Sequence, residues 1–175
     1  MKKIFFFIIL VLIISTIKLF STNTFSPQKA LTLYNNVYTI KKIEHTVNLH
    51  TNVKLVIWKN KNNNILGSIL KKNILNSWKV VGQSSVVNTS STTLNEFVYS
   101  KINFSNSSSK YTHLFLGYIN NLNNIPINRI TLDDYECNLI FDDNENIIWY
   151  IFLNYSDDTL PVLKMYKNNE LLFSY

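Results

Sequence analysis

The chain has 175 residues, of which 46% are hydrophobic and 16% charged, a composition that excludes an intrinsically disordered protein. Its single cysteine, Cys137, excludes an intramolecular disulfide and a cysteine-rich metal site. The net charge of +6 is unevenly divided: residues 1–110 carry fourteen lysines and two acids, whereas residues 111–175 carry three basic residues and nine acids. This asymmetry predicts two differently charged surfaces and a boundary near residues 105–110.

The N-terminus begins with a basic pair, Lys2 and Lys3, followed by an almost uninterrupted apolar segment over residues 4–20. As a helix this segment would rise about 25 Å, just short of a ~30 Å hydrocarbon core. We therefore expect residues 1–22 to be a transmembrane anchor or a signal peptide, with the rest of the chain outside the cell membrane. The segment lacks a small-residue cleavage motif, which favours an uncleaved anchor; cleavage would make the protein secreted.

A short helix is predicted next, because Ser26 is a favourable N-cap and Pro27 suits the first helical position. Apolar residues recur at helical spacing from Ala30 to Tyr34, and the pair Asn35-Asn36 ends the pattern. From Val37 onward, apolar and polar residues alternate with the period of two that is typical of a strand.

Residues 52–82 contain three apolar strands separated by asparagine-rich turns, which predicts an antiparallel meander. Residues 26–104 are accordingly expected to form a short helix plus a β-meander. Residues 111–175 contain six short apolar stretches and are expected to form an antiparallel, sandwich-like β unit. The stretches are His113–Ile119, Ile127–Leu132, Cys137–Phe141, Ile147–Leu153, Pro161–Tyr166 and Leu171–Tyr175. The predicted fold class is mainly β, with an α+β fold as the alternative.

Patterns that would carry catalysis or bind a metal are weak. Residues 142–146 begin like a calcium-binding loop, but Ile147 and Leu153 replace the glycine and glutamate that such a loop needs, which favours a hairpin turn. The three histidines lack the close spacing of metal ligands, and no nucleophile elbow or phosphate-binding glycine loop occurs. We expect Cys137 to be a small buried hydrophobe. We therefore predict no catalytic residues, no metal and no cofactor.

The predicted meander is rich in lysine and contains two of the three tryptophans, Trp58 and Trp78. Inside a cell this combination would suggest nucleic acid; outside, the available partners are anionic lipids or anionic wall polymers, and no nucleic acid is expected. The alternative is that these lysines only solvate exposed strand positions and that the tryptophans are core residues. The candidate contact residues are Lys54, Lys59, Lys61, Lys71, Lys72 and Lys79.

Several short motifs stand out together: the N-terminal anchor, the helix start at Ser26-Pro27, the segment 43–46, the pair Lys71-Lys72 followed by 77–80, and the run 148–153. With these motifs the chain resembles small uncharacterised membrane-anchored or secreted proteins of AT-rich Gram-positive bacteria of the Bacillus type. The resemblance implies location and source, and it assigns no site residues.

Together, these patterns predict a membrane-anchored, outward-facing β-rich domain with a non-catalytic binding or envelope accessory role. The sequence does not indicate a protein partner. The alternative is a secreted enzyme or toxin-like effector whose site residues converge only in three dimensions.

Overall fold

The computed structural model describes residues 8–15, 26–35, 38–74, 76–90, 98–103, 113–120, 126–154 and 161–175. The chain is mainly β, as predicted, and within these ranges it contains two helices and three antiparallel sheets of four strands each.

The described part of helix α1 covers residues 8–15, and its apolar side chains from Ile8 to Ile14 are exposed. No helix in the described ranges has both the length and the apolar character needed to cross a membrane. The remainder of the expected anchor, residues 1–7 and 16–22, lies outside those ranges.

Helix α2 (Pro27–Tyr34) confirms the predicted short helix and both of its ends. The Ser26 hydroxyl accepts a hydrogen bond of 3.1 Å from the Lys29 backbone N–H, which satisfies one of the unpaired donors of the first turn. At the other end, Asn35 caps the helix by donating its backbone N–H to the Leu31 carbonyl oxygen. Ala30 and Leu31 are the buried residues of α2.

Sheet A confirms the predicted meander and the strand that the alternation after Val37 predicts before it. Its strands are β1 (Ile40–His50), β2 (Val53–Asn60), β3 (Ile65–Lys72) and β4 (Trp78–Gln83), paired in chain order.

Sheets B and C divide the remaining strands between them. Sheet B has the order β5-β6-β10-β9, with β5 (Val98–Asn103), β6 (His113–Ile119), β9 (Asn138–Phe141) and β10 (Ile147–Leu153). Sheet C has the order β12-β11-β7-β8, with β7 (Arg129–Leu132), β8 (Tyr135–Glu136), β11 (Leu163–Lys167) and β12 (Glu170–Ser174). All six apolar stretches expected after residue 110 therefore contribute strands, and β8 is an additional short one. The boundary expected at residues 105–110, which lie outside the described ranges, falls between two strands that pair with each other, β5 and β6.

Three hydrophobic cores stack helix and sheets into four layers. Helix α2 packs on the outer face of sheet A, where Trp58 and Trp78 are buried. The inner face of sheet A packs on sheet B through residues such as Leu55, Leu116 and Ile148. The opposite face of sheet B packs on sheet C. Sheet B is therefore covered on both sides.

Two glycines permit this close stacking. Gly117 lies directly opposite Trp149 in sheet B, and a Cβ atom at position 117 would meet the Trp149 indole at 2.3 Å. Trp149 is fully buried in the core between sheets B and C. On the other interface, a Cβ at Gly67 would lie 3.1 Å from a Leu116 methyl group, a tight contact that a flexible side chain can relieve.

Asparagine performs the turn role that glycine often has. Four described asparagines, Asn63, Asn76, Asn168 and Asn169, have φ between 47° and 73°, whereas none of the described glycines has positive φ. Asparagine tolerates this left-handed conformation better than most residues because its short side chain can bond to the nearby backbone. The asparagine clusters at residues 62–64 and 168–169 therefore lie at tight turns.

Replacing Gly117 with alanine is expected to destabilise the fold by about 3 kcal/mol, because the rigid Trp149 indole has no room to move in a buried core. Urea denaturation at neutral pH measures the change in unfolding free energy. The matched control is Gly67→Ala, whose methyl group meets only a leucine side chain and is expected to cost about 1 kcal/mol. If Gly117→Ala lowers the unfolding free energy no more than Gly67→Ala does, the indole does not pack over Gly117.

Candidate functional site

Four of the six candidate lysines converge at one end of sheet A, which we call the basic end: Lys54, Lys71, Lys72 and Lys79. Strand β2 begins there, β3 ends there and β4 begins there. The pairing places Lys54 opposite Leu70, Lys71 opposite Lys79 and Lys72 opposite Trp78. Antiparallel pairing therefore brings together residues that are up to 25 positions apart in the sequence.

Trp78 organises the outer face of the basic end. The ring is 7% exposed and belongs to the core under α2. The ammonium nitrogen of Lys54 lies 5.1 Å from the ring centroid, and that of Lys72 lies 5.8 Å from it. Both distances allow a cation–π interaction, which holds the two charges over one indole.

Lys71 and Lys79 occupy the opposite face of the same end. Directly paired residues of antiparallel strands share a face, and Val53, which is also opposite Lys71, packs against the core between sheets A and B. Both lysines are exposed. Like charges directly opposite each other repel across a sheet.

The turn between β3 and β4 completes the basic end. Asn73 closes it: its carbonyl accepts the Asn76 N–H at 3.0 Å, and its side-chain oxygen accepts the Ser77 N–H at 2.9 Å. Ile74 projects from this turn and is fully exposed to solvent. Residues 45–95 contain no aspartate or glutamate, so the positive charge is not offset locally by neighbours in the sequence.

The remaining two candidates lie elsewhere. Lys61 is exposed in the turn between β2 and β3, at the opposite end of the sheet. Lys59 is largely buried in an ion cluster, and its ammonium group lies 3.3 Å from the Glu44 carboxylate and 2.9 Å from that of Asp142. The cluster is completed at the surface by Lys42, which bonds both Glu44 and Asp143.

This ion cluster ties sheet A to sheet B. Glu44 and Lys59 belong to β1 and β2, whereas Asp142 begins the turn between β9 and β10. The Asp142 carboxylate, with its side chain only 2% exposed, also accepts backbone N–H groups from Asn144 at 2.9 Å and Asn146 at 3.0 Å. The residues that sequence reasoning considered for calcium thus form the predicted hairpin turn, and a lysine lies against the carboxylate.

Burial and the ion cluster shift the pKa values of two groups, Asp142 and Tyr118. Burial opposes ionisation of Asp142, but the hydrogen bonds from Lys59, Asn144 and Asn146 outweigh it and hold the pKa of Asp142 below its usual range. Burial, reinforced by the negative charges of Asp142 and Glu44, raises the pKa of Tyr118 to about 12. Asp142 is therefore ionised and the Tyr118 phenol is neutral at physiological pH.

Sequence reasoning missed Glu44 and Asp142 as partners of Lys59. Lys42 and Glu44 are two positions apart on one strand, a spacing that weakly indicates that they share a face. Lys59 and Asp142 are 83 residues apart, and no local pattern connects them.

A cleft of about 540 Å³ lies at the edges of sheets B and C. Its lining combines aromatic, amide and aliphatic side chains with one carboxylate: Tyr135, Glu136, Asn138, Ile151, Phe152, Leu153 and Asn154. Nearby Cys137 is buried, as predicted, and burial raises the pKa of its thiol to about 12. In the ranges that the structure describes, histidine, cysteine and acidic side chains do not gather in a group of three that could hold a metal ion.

Comparison of the chain with protein-family models, curated proteins and solved structures finds no match.

Replacing Asp142 with asparagine is expected to lower the unfolding free energy by about 2 kcal/mol at pH 7, because the turn keeps its acceptor but Lys59 loses a charged partner. Since the pKa of Asp142 is lower in the folded than in the unfolded state, its ionised form stabilises the fold above about pH 4, the unfolded value. This contribution is lost as the pH falls through the folded pKa, so the two proteins should converge in acid.

Urea denaturation between pH 2 and pH 7 tests this expectation. The matched control is Asp143→Asn, which removes the adjacent carboxylate, 84% exposed, and should change stability little. Parallel stability curves for wild type and Asp142→Asn across this pH range would contradict the assigned role of Asp142.

Proposed function

We propose that this protein is a membrane-anchored, outward-facing β domain that binds an anionic surface through its basic end, without catalysis. The observation that carries the proposal is the convergence of Lys54, Lys71, Lys72 and Lys79 at one end of sheet A. Each lysine held near an anionic surface contributes about 1 kcal/mol to binding. Anionic lipids and anionic wall polymers both have the required charge.

The apolar segment over residues 4–20 supports the proposed anchor, with Lys2 and Lys3 on the cytoplasmic side. Within it, the side chains of α1 from Ile8 to Ile14 are exposed, so their apolar surface is available to lipid. The domain then lies on the outer side of the cell membrane, or is secreted if the segment is cleaved.

The alternative function, a secreted enzyme or toxin-like effector, would need ionisable side chains that converge on an open cavity. In the ion cluster, the two carboxylates beside Lys59 are almost fully buried: the Glu44 side chain is 5% exposed and that of Asp142 is 2% exposed. These carboxylates are bonded to Lys59 rather than presented to a substrate. The burial of these carboxylates is one reason for proposing a binding role rather than this alternative.

Replacing Lys71 and Lys79 together with glutamine is expected to weaken binding to anionic vesicles about 30-fold, since two contributions of about 1 kcal/mol are lost. The full chain is held in neutral phosphatidylcholine nanodiscs, and vesicles with or without phosphatidylglycerol are passed over it in a surface plasmon resonance experiment.

The matched control is Lys164→Gln with Lys167→Gln, which removes two positive charges from β11 in sheet C. Binding of the wild-type protein should be lost by ~0.5 M salt, where screening is short-ranged. Two results would contradict a role for the basic end. One is an equal loss of vesicle affinity in the two double variants; the other is wild-type binding that depends on neither salt nor phosphatidylglycerol.

A further inference from the structure

We infer that the basic end is a bilayer-docking tip: Ile74 inserts among the acyl chains of an anionic phospholipid membrane while the four lysines contact its headgroups. This inference rests on the proposed function and narrows its partner from any anionic surface to the lipid bilayer.

The exposure of Ile74 is the first reason. A single exposed apolar residue is ordinary, but Ile74 is 100% exposed at the tip of a hairpin whose flanking strands carry lysines. An anionic polymer would offer no apolar environment for this side chain. A bilayer offers apolar chains directly beneath a layer of negative headgroups, which matches the order of Ile74 and the lysines along β3 and β4.

The hydrogen bonding of the turn is the second reason. A backbone N–H that enters lipid without a partner is costly. In this turn the N–H of Asn73 bonds the Ser77 carbonyl at 2.9 Å, and the N–H groups of Asn76 and Ser77 both bond Asn73. Three backbone donors of the turn are therefore satisfied internally before it meets the membrane, which lowers the cost of insertion.

The arrangement of the lysines is the third reason. Lys54 and Lys72 lie on the outer face of sheet A and Lys71 and Lys79 on its inner face, so positive charge surrounds the tip rather than following one flat side. Lysine stems can lie along apolar surface while the ammonium groups remain at headgroup level. A tip with charge on both faces suits perpendicular entry of the hairpin.

The position of sheet A along the chain is the fourth reason. Only residues 21–25 separate the apolar segment 4–20 from the N-cap of α2, a chain length that spans at most about 21 Å. Because α2 packs on sheet A, that sheet is tethered close to the membrane. A nearby bilayer is therefore within reach of the hairpin.

Insertion is tested with a fluorescent probe on the full chain reconstituted in bilayers. Ile74→Cys is labelled with an environment-sensitive dye, and Asn62→Cys, in the exposed turn at the opposite end of sheet A, is the matched control. The native Cys137 thiol is buried, and labelling of the wild-type chain measures its small background. Nitroxide-bearing lipids in the membrane then quench only a dye that has entered the acyl region.

We expect several-fold stronger quenching, and blue-shifted emission, at position 74 than at position 62 in bilayers that contain phosphatidylglycerol. Neutral bilayers should give a smaller difference. Emission at position 74 that stays as water-like and unquenched as at position 62 would overturn the insertion.

The variant Ile74→Ser separates the inference from the proposed function. It keeps all four lysines and should bind anionic vesicles about tenfold more weakly, with an unchanged salt dependence. If Ile74→Ser binds normally while Lys71→Gln with Lys79→Gln still weakens binding, docking is electrostatic alone: the insertion falls and the proposed function stands. If the wild-type chain itself does not bind anionic vesicles, both fall.

Discussion

The burial of sheet B on both faces is the constraint on which the rest of the structure depends. Strands β6 and β10 are almost entirely buried, and they contribute to the cores on either side. On the side that faces sheet C, there is room for the Trp149 indole because the residue beneath it, Gly117, has no side chain. An antiparallel sheet usually leaves one face to water, so this sheet is stable only when sheets A and C cover it.

Sheet A shows how charge is distributed under that constraint. Its inner face is buried against sheet B and its outer face lies under α2, which leaves its two ends for polar chemistry. At one end, Lys59 is surrounded by acids from both sheets and is used for stability. At the other end, Lys71 and Lys79 face each other in a segment without acids. The same residue type thus lies in a buried ion cluster at one end and at an exposed surface at the other.

The elements that rest on local patterns could be predicted from the sequence. The N-cap at Ser26 defined α2, and asparagine-rich turns separated the strands of the meander, because both signals act within a few residues. The layering could not be predicted in the same way. Strands that are buried on both faces do not alternate apolar and polar residues, so the sequences of β6 and β10 are simply apolar runs. Such runs do not indicate which strand each one pairs with or which sheet it joins. The sequence also could not show which of the six lysines lie at the basic end and which lies in the ion cluster. Lys59 contacts Asp142, which is 83 residues away, whereas Lys71 pairs with Lys79 through a short hairpin.

The central claim is that the basic end, and not another surface, faces an anionic membrane. Amide hydrogen exchange of the full chain, compared between neutral nanodiscs and nanodiscs that contain phosphatidylglycerol, tests this claim most directly. Docking should slow exchange selectively in residues 50–54 and 71–79, while the cleft at the edges of sheets B and C exchanges as before. Unchanged exchange at the basic end, or new protection concentrated at the cleft, would contradict the account.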